Sequence, residues 1–540
     1  MAKEDFVEEI LTDSTSTKQQ PNLKPWSLLQ KYSKKLDSLG VETRGIERIQ
    51  PWERSTNKWT QFISVIGFWF SAAGGLSSMS TFILSATLFE LNFKQALTSG
   101  MIAQLLGCAI AGYCATMGPR SGCRQMVTAR YLFGWWFVKF VALIGCLGVV
   151  GWSIVNCVVG GQILASVSND KVPLYIGIVI VAILSFMVAI FGIKQLLRVE
   201  KFIAIPVTIA FVLLYISSSN KFHLLQTFDN SEIASQTLKG NYLSFFSLAY
   251  AVTGTWGTIT SDYYILFPET TPSYQVFLLT FLGIGIPTTF VGILGTCLSV
   301  LAMVEPGFET AYEDHGMGGL LHQGFSRWNG FGKFCTIILL LSLIANNIIN
   351  TYSAAFSLQL TAVWFAKIPR WLWAIIITAV YLVCALVGRD HFSTILGNFL
   401  PMIGYWISMY FIMLLEENTI FRKFFLHLYI KEFPVNEEEK IANSSHNVEK
   451  VPLGLRSRKQ NYNWDAWNNY GVLTHGYAAF IAFLCGVVGA VLGMAQAYYI
   501  GVIARNFGEF GGDLAMWLTM GISGIVYPPL RYLELKKCGR

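Results

Sequence analysis

Most of the chain alternates between apolar stretches of about twenty residues or more and short polar loops, the length a helix needs to cross the hydrocarbon core of a bilayer. This pattern predicts twelve membrane spans, at 60–88, 95–117, 135–164, 173–193, 199–217, 242–266, 276–303, 333–364, 370–388, 393–415, 473–498 and 512–530. Two polar regions stand outside the series. An N-terminal arm, 1–59, is expected to end in a short amphipathic helix around 27–39. A linker, 416–471, includes a polar run at 436–459 that reads as disordered. The predicted organisation is therefore arm 1–59, ten-helix core 60–415, linker 416–471, two appended helices 472–531 and tail 532–540.

Within the apolar stretches the polar residues are not scattered evenly. The first span contains Phe70-Ser71-Ala72-Ala73-Gly74-Gly75-Leu76-Ser77-Ser78, and the sixth contains Val252-Thr253-Gly254-Thr255-Trp256-Gly257-Thr258. Small residues at mid-span also serve close helix packing. Two such islands five spans apart instead match an inverted repeat in which a helix of each half is broken and its free backbone builds a binding site. The expected fold is an all-α polytopic membrane protein, a five-plus-five inverted repeat with broken first and sixth helices and two appended helices. The third and eighth spans are the matching partners. The third carries Trp152 and Asn156, four residues apart on one helix face; the eighth carries Asn346, Asn347 and Asn350. Amides at membrane depth need partners and normally face a cavity or another helix. Indole faces stack on a flat ring and amides read its donor and acceptor edge, so Trp152, Trp256, Asn156 and the asparagine cluster point to a planar heteroaromatic substrate. Ser71, Gly74 and Gly75 complete the candidate site.

Composition narrows the class. The chain is 53% hydrophobic and 13% charged, about half the charged share of a soluble domain. Its net charge of +7 comes from Lys and Arg in short loops, a pattern that sets membrane orientation rather than nucleic-acid binding. Arg120, Arg124, Arg130, Lys194, Arg198, Lys367, Arg370 and Arg531 fall on one side, whereas the 304–332 loop is acidic, which places both termini in the cytoplasm. On that side the sequon at Asn443 is a chance match. No signal peptide is read, so the first span is expected to act as the targeting segment. The ten cysteines form no Cys-x-x-Cys pair, and the seven histidines lie mostly in loops. No metal site, cofactor or catalytic constellation is expected. Two acids near membrane depth, Glu200 and Asp262, are candidates for proton coupling, with an ion pair fixing a helix end as the other reading of each.

Several of these residues lie in motifs that resemble the nucleobase–cation symporters, in the fungal purine–cytosine permease branch. The motifs are Gly122-Cys123-Arg124-Gln125-Met126-Val127-Thr128-Ala129-Arg130-Tyr131, Gly151-Trp152 with Asn156, Asp262-Tyr263, Ala345-Asn346-Asn347, Gly511-Gly512-Asp513 and Leu533-Glu534-Leu535. The resemblance runs from about residue 40 onward. Within the branch the chain is more similar to fungal plasma-membrane vitamin B6 carriers, and it departs from the nucleobase carriers at Ile349, where they have proline, and at Ala73, where they have asparagine. The resemblance implies a plasma-membrane, proton-coupled importer of pyridoxine and its aldehyde and amine forms, with a purine or cytosine carrier as the alternative. It implies substrate contacts at Ser71, Trp152, Asn156, Trp256, Asn346, Asn347 and Asn350, and a functional acid at Glu200. The expected partners are the small heteroaromatic substrate, a co-transported proton and the lipid bilayer.

Overall fold

The computed structural model describes residues 45–191, 193–433 and 461–540. The helix expected at 27–39, the polar run 436–459 and the sequon at Asn443 lie outside the described residues. The described chain is mostly helical. The principal helices are α1 (Lys58–Ala73), α2 (Leu76–Thr87), α3 (Phe93–Ala115), α4 (Arg130–Ser168), α5 (Leu174–Ala189), α6 (Ile193–Ser218), α7 (Ser235–Gly254), α8 (Ser273–Val304), α9 (Pro306–Gly324), α10 (Asn329–Thr361), α11 (Arg370–Gly388), α12 (Phe392–Glu416), α13 (Tyr477–Gly493) and α14 (Ala515–Cys538). Seven helical runs among the described residues are long and apolar enough to cross a membrane.

Helix α4 lies along α10 at the centre. Helix α7 lies along α3, α8 against α2 and α3, and α14 against α13 and α12. The outward faces stay apolar: Ile183, Leu184 and Met187 on α5, Phe202, Ile205 and Ile209 on α6, and Val380, Val383 and Val387 on α11 are all exposed. Such faces are unfavourable in water and natural against lipid chains. Helix starts use local chemistry. Asn92 and Gln95 form a reciprocal capping box on α3, and Asn57 accepts the Thr60 N–H at the start of α1. At the start of α9 the Glu305 carboxylate accepts the Phe308 N–H. Burial pushes this carboxyl up, but the Lys221 ammonium at 3.0 Å and the Phe308 N–H outweigh it and hold it below the ordinary carboxylate value.

Three stretches differ from the sequence reading. The acidic 304–332 loop is largely helix α9, bent at His315 and Gly316. The stretch expected at 242–266 leaves α-helical geometry at Gly254 and continues as two single 3-10 turns, Thr255–Thr258 and Thr260–Tyr263. The linker read at 416–471 is built into the protein at both described ends. Arg422 donates to Glu432 at 2.6 Å and to the Asn461 carbonyl at 3.1 Å, and Tyr131 on α4 reaches the Asn463 carbonyl at 2.5 Å. The aromatic residues Tyr429, Tyr462 and Trp464 are buried at these two ends.

Candidate functional site

The site begins with interrupted backbone. Helix α1 stops at Ala73, and α2 starts at Leu76 after Gly75 adopts an extended conformation (φ −113°, ψ 179°). Glycine is required here for close approach. A Cβ on Gly75 would lie 2.9 Å from the Ser342 Cβ of α10, and one on Gly74 would lie 2.7 Å from the Pro287 Cβ of α8. A break in a buried helix leaves orphan donors and acceptors, and neighbouring side chains take them. Ser342 Oγ accepts the Leu76 N–H at 3.0 Å, Thr288 Oγ1 donates to the Ala73 carbonyl at 3.2 Å, and Asn346 Nδ2 donates to the Ala72 carbonyl at 3.0 Å. The second interruption follows Gly254, the last residue of α7. Both glycine and serine/threonine islands therefore coincide with breaks.

The asparagines meet as expected from their spacing, though with divided tasks. Asn346, at the midpoint of α10, offers its Oδ1 to Asn156 Nδ2 at 2.8 Å, Asn350 Nδ2 at 2.9 Å and Ser77 Oγ at 3.4 Å. A carbonyl oxygen has two lone pairs, so three donors exceed its capacity. Meanwhile Asn156 Oδ1 is buried without a partner. The cluster thus holds one donor in excess; Asn350 and Ser77 line an adjoining cavity, whereas the unpartnered Asn156 Oδ1 is buried behind it. Asn347 stands behind it. Its Oδ1 accepts a second bond from Asn156 at 3.1 Å, and its Nδ2 turns to Cys157 Sγ at 3.2 Å. In membranes each such interhelical hydrogen bond contributes about 0.6 kcal/mol on average, so the group orients rather than anchors the helices.

In front of Asn346 and Asn350 lies a narrow cavity walled by Trp152 and Trp256 and by Ser77, Ser78 and Thr255. None of its lining residues is ionisable. Trp69 stands edge-on to Trp256 (ring centroids 5.4 Å, interplanar angle 86°) and donates to the Tyr264 hydroxyl at 3.0 Å, fixing that indole from behind. Of the residues singled out from sequence, Trp152, Trp256, Asn346 and Asn350 line the cavity. Gly74 and Gly75 shape the break, and Asn156 and Asn347 form the layer behind. Ser71 is buried on the α6 side, facing Glu200 rather than the cavity.

The two acids have different surroundings. Glu200 is wholly buried, and neither carboxylate oxygen has a hydrogen-bond partner, with the Ser71 hydroxyl the polar group it faces. Asp262 is engaged. It accepts the Gln125 N–H at 2.7 Å and lies 4.0 Å from Arg124, whose guanidinium stacks 3.3 Å from the Phe356 ring centre. Arg124, Asp262 and Phe356 wall a smaller cavity that shares Thr258 and Ile259 with the central one. On the far side a wide recess opens between Ser80, Gln162, Asp170 and His315.

Sequence reasoning missed the part played by α12. Ile403 lines the cavity, and the Phe399 ring presses on Gly151, where a Cβ would lie 1.8 Å from it. The signal was present in Gly145, Gly148 and Gly151, spaced three apart on α4, which open a smooth strip facing Trp406, Ile403 and Phe399 in turn.

Helices broken around an uncharged, aromatic- and amide-lined central cavity, within a mostly helical and lipid-facing bundle, define a multi-pass membrane transporter. The chain belongs to the family of permeases for cytosine/purines, uracil, thiamine and allantoin, whose model matches residues 50–422. It is 61% identical over 521 residues to the vitamin B6 transporter TPN1 of Saccharomyces cerevisiae, covering 94% of this chain and 90% of that one. It is 31% identical over 507 residues to the purine-cytosine permease FCY21 of the same yeast, covering 93% and 88%. Among solved structures, Mhp1, a nucleobase-cation-symport-1 family transporter in a closed conformation with bromovinylhydantoin bound, matches 92% of this chain and 97% of its own. The match has a TM-score of 0.59 at 14% identity, and the two share the fold. These relatives carry molecules across membranes, and this chain is a transporter, not an enzyme.

Proposed function

We propose that this chain is a plasma-membrane, proton-coupled importer of vitamin B6, taking pyridoxine and its aldehyde and amine forms by alternating access. The observation that carries the reading is 61% identity along nearly the whole chain to a vitamin B6 transporter, against 31% to a purine-cytosine permease. The site supports it chemically. Trp152 and Trp256 line the cavity with aromatic surface on which a flat ring can stack, and Asn346, Asn350 and Ser77 line it with polar groups suited to hydroxyls and a ring nitrogen. Asn156 and Asn347 hold those amides in place, and Ser71 belongs with the proton.

Glu200 is the proton carrier in this scheme. Its carboxyl is buried, enters no ion pair among the described residues and has no hydrogen-bond partner, and it faces the broken first helix through Ser71, so protonation and the helix that frames the substrate communicate. Asp262, tied to Arg124, secures the cytoplasmic side of the site instead. The chain crosses the membrane in twelve spans, as a five-plus-five inverted repeat plus α13 and α14, with both termini in the cytoplasm. It retains the division into arm 1–59, core 60–415, segment 416–471, appended pair 472–531 and tail 532–540.

The test is uptake of labelled pyridoxine by cells lacking their own vitamin B6 and cytosine carriers. Entry is expected to rise as external pH falls and to stop when the proton gradient is collapsed. The family match leaves a purine or cytosine carrier as the second reading; entry of cytosine without pyridoxine would establish it in place of the first.

A further inference from the structure

The motif Gly511-Gly512-Asp513 has no part in the substrate cavity, yet it sits where two cavity-forming helices are gripped. The segment between α13 and α14 folds into a small antiparallel hairpin, β1 (Ala495–Gln496) with β2 (Tyr499–Ile500), followed by a turn that returns to α14. Gly511 has φ +71°, a conformation that favours glycine, and Gly512 comes so close to Gly240 of α7 that a Cβ on it would lie 3.1 Å from the Gly240 Cα. Asp513, 2% exposed, has no basic partner in an ion pair among the described residues. Its Oδ2 accepts a short hydrogen bond from the Tyr405 hydroxyl of α12, its Oδ1 accepts the Ala515 N–H at 3.0 Å, and its own N–H reaches Ser244 of α7 at 3.1 Å. Gln496 Nε2 closes the group on Tyr405 at 2.8 Å.

The same segment touches α12 twice more. The Ala497 N–H donates to Asn398 Oδ1 at 2.5 Å, and the Tyr498 hydroxyl meets Met402 Sδ at 3.0 Å. Positions 398, 402 and 405 form one stripe of α12. The adjoining stripe carries Phe399 and Ile403, which press on Gly151 and Gly148 of α4 beside Trp152. We infer that the segment between α13 and α14 is a strap that positions the N-terminal half of α12 against the substrate cavity, with Asp513 and Tyr405 as positioning residues that set which ring the cavity accepts without touching it. The strap also holds α7, the helix that ends at the Thr255–Trp256 wall, so its two grips fix two sides of one cavity. This inference rests on the cavity being the substrate site.

The experiment compares Tyr405→Phe, Asp513→Asn and the double variant in the full chain, at matched surface protein, using labelled pyridoxine and a panel of unlabelled planar competitors. Loss of a buried hydrogen-bond partner is expected to raise KM about fivefold to tenfold with Vmax held within about twofold. The double variant should be no worse than the worse single one, because the two groups make one contact. The order of the competitors should change as α12 shifts, an effect that a fold defect alone does not produce. Asn398→Ala, at a partly exposed grip, should move KM in the same direction by about twofold, and it keeps the test open if an Asp513 variant fails to reach the surface. An unchanged KM and competitor order in Asn398→Ala and Tyr405→Phe, whatever the amount of protein, would overturn the strap. If the wild type takes cytosine rather than pyridoxine, the same ratios are read with labelled cytosine, so the substrate reading fails while the strap is still judged.

Discussion

Two buried polar clusters in this protein are built on opposite plans. At one end of the bundle, Glu417 accepts from Arg531 Nε at 3.1 Å, Arg422 Nε at 3.1 Å, Tyr429 at 2.7 Å and Tyr527 at 2.8 Å. Arg531 continues to Glu534 at 3.2 Å and Thr474 at 2.8 Å. Both Glu417 oxygens are used, and the arginines are shared among acids and rings. The cluster locks α12, α14 and the returning segment 461–476 together. At mid-bundle, the amides of α4 and α10 carry no charge, crowd three donors onto one oxygen and leave Asn156 Oδ1 unpartnered; on α6 both Glu200 oxygens also lack a hydrogen-bond partner. A satisfied ionic network resists change because each partner that leaves strands a buried charge. A neutral network strands no charge when a partner moves, although each unpaired group is costly to bury. The first cluster is built for rigidity; in the proposed function the second is where substrate and proton act.

The largest effect that would sharpen this contrast is Arg531→Ala. Glu417 would keep Arg422 but lose one of its two arginines, and Glu534 would lose its only ion-pair cation among the described residues, which should destabilise the protein by about 3 kcal/mol, read as loss of surface protein and of the monodisperse peak after mild heating in detergent. Next is Asn347→Ala, expected to reduce uptake about tenfold or more, on the order of a lost buried hydrogen-bond partner, while surface protein stays near the wild-type amount. Normal kinetics in that variant would mean that the amides serve helix packing alone, and the comparison would break. The smallest effect on total protein, and the most specific on function, belongs to Glu200→Gln. A permanently neutral side chain removes the titrating group, so the rise of uptake with external acidity should flatten while substrate exchange across the membrane persists. A retained pH profile would move the proton elsewhere.

Much of the mid-bundle cluster was legible in the sequence because polarity inside an apolar run is itself a signal. Asn346 and Asn350, four apart, had to share a face, and Gly74-Gly75 at mid-span marked a break. The task of each group was not legible. Asn347 turns toward Cys157, Ser71 toward Glu200, and Ser342 and Thr288 catch the freed backbone of the first helix. The role of α12 escaped notice because Phe399 and Ile403 are ordinary hydrophobic residues in a hydrophobic helix. The burial of Glu417, Arg422 and Glu432 was not legible, because charged residues between two spans acquire partners only through the fold.

The sequence by itself determined where most of the helices run, that their outer faces are apolar, where two of them break and which polar and aromatic residues gather at mid-bundle. It did so because apolar length, glycine and buried amides impose constraints that act locally along the chain. Only the tertiary structure decided which amides look into the cavity and which stand behind them. It also decided that α12 lines the cavity, that the α13–α14 segment grips α12, and that Glu417 is held by Arg531 and Arg422. Those outcomes depend on how helices distant in sequence cross, and periodicity within one helix gives the face of a residue but not the neighbour it meets.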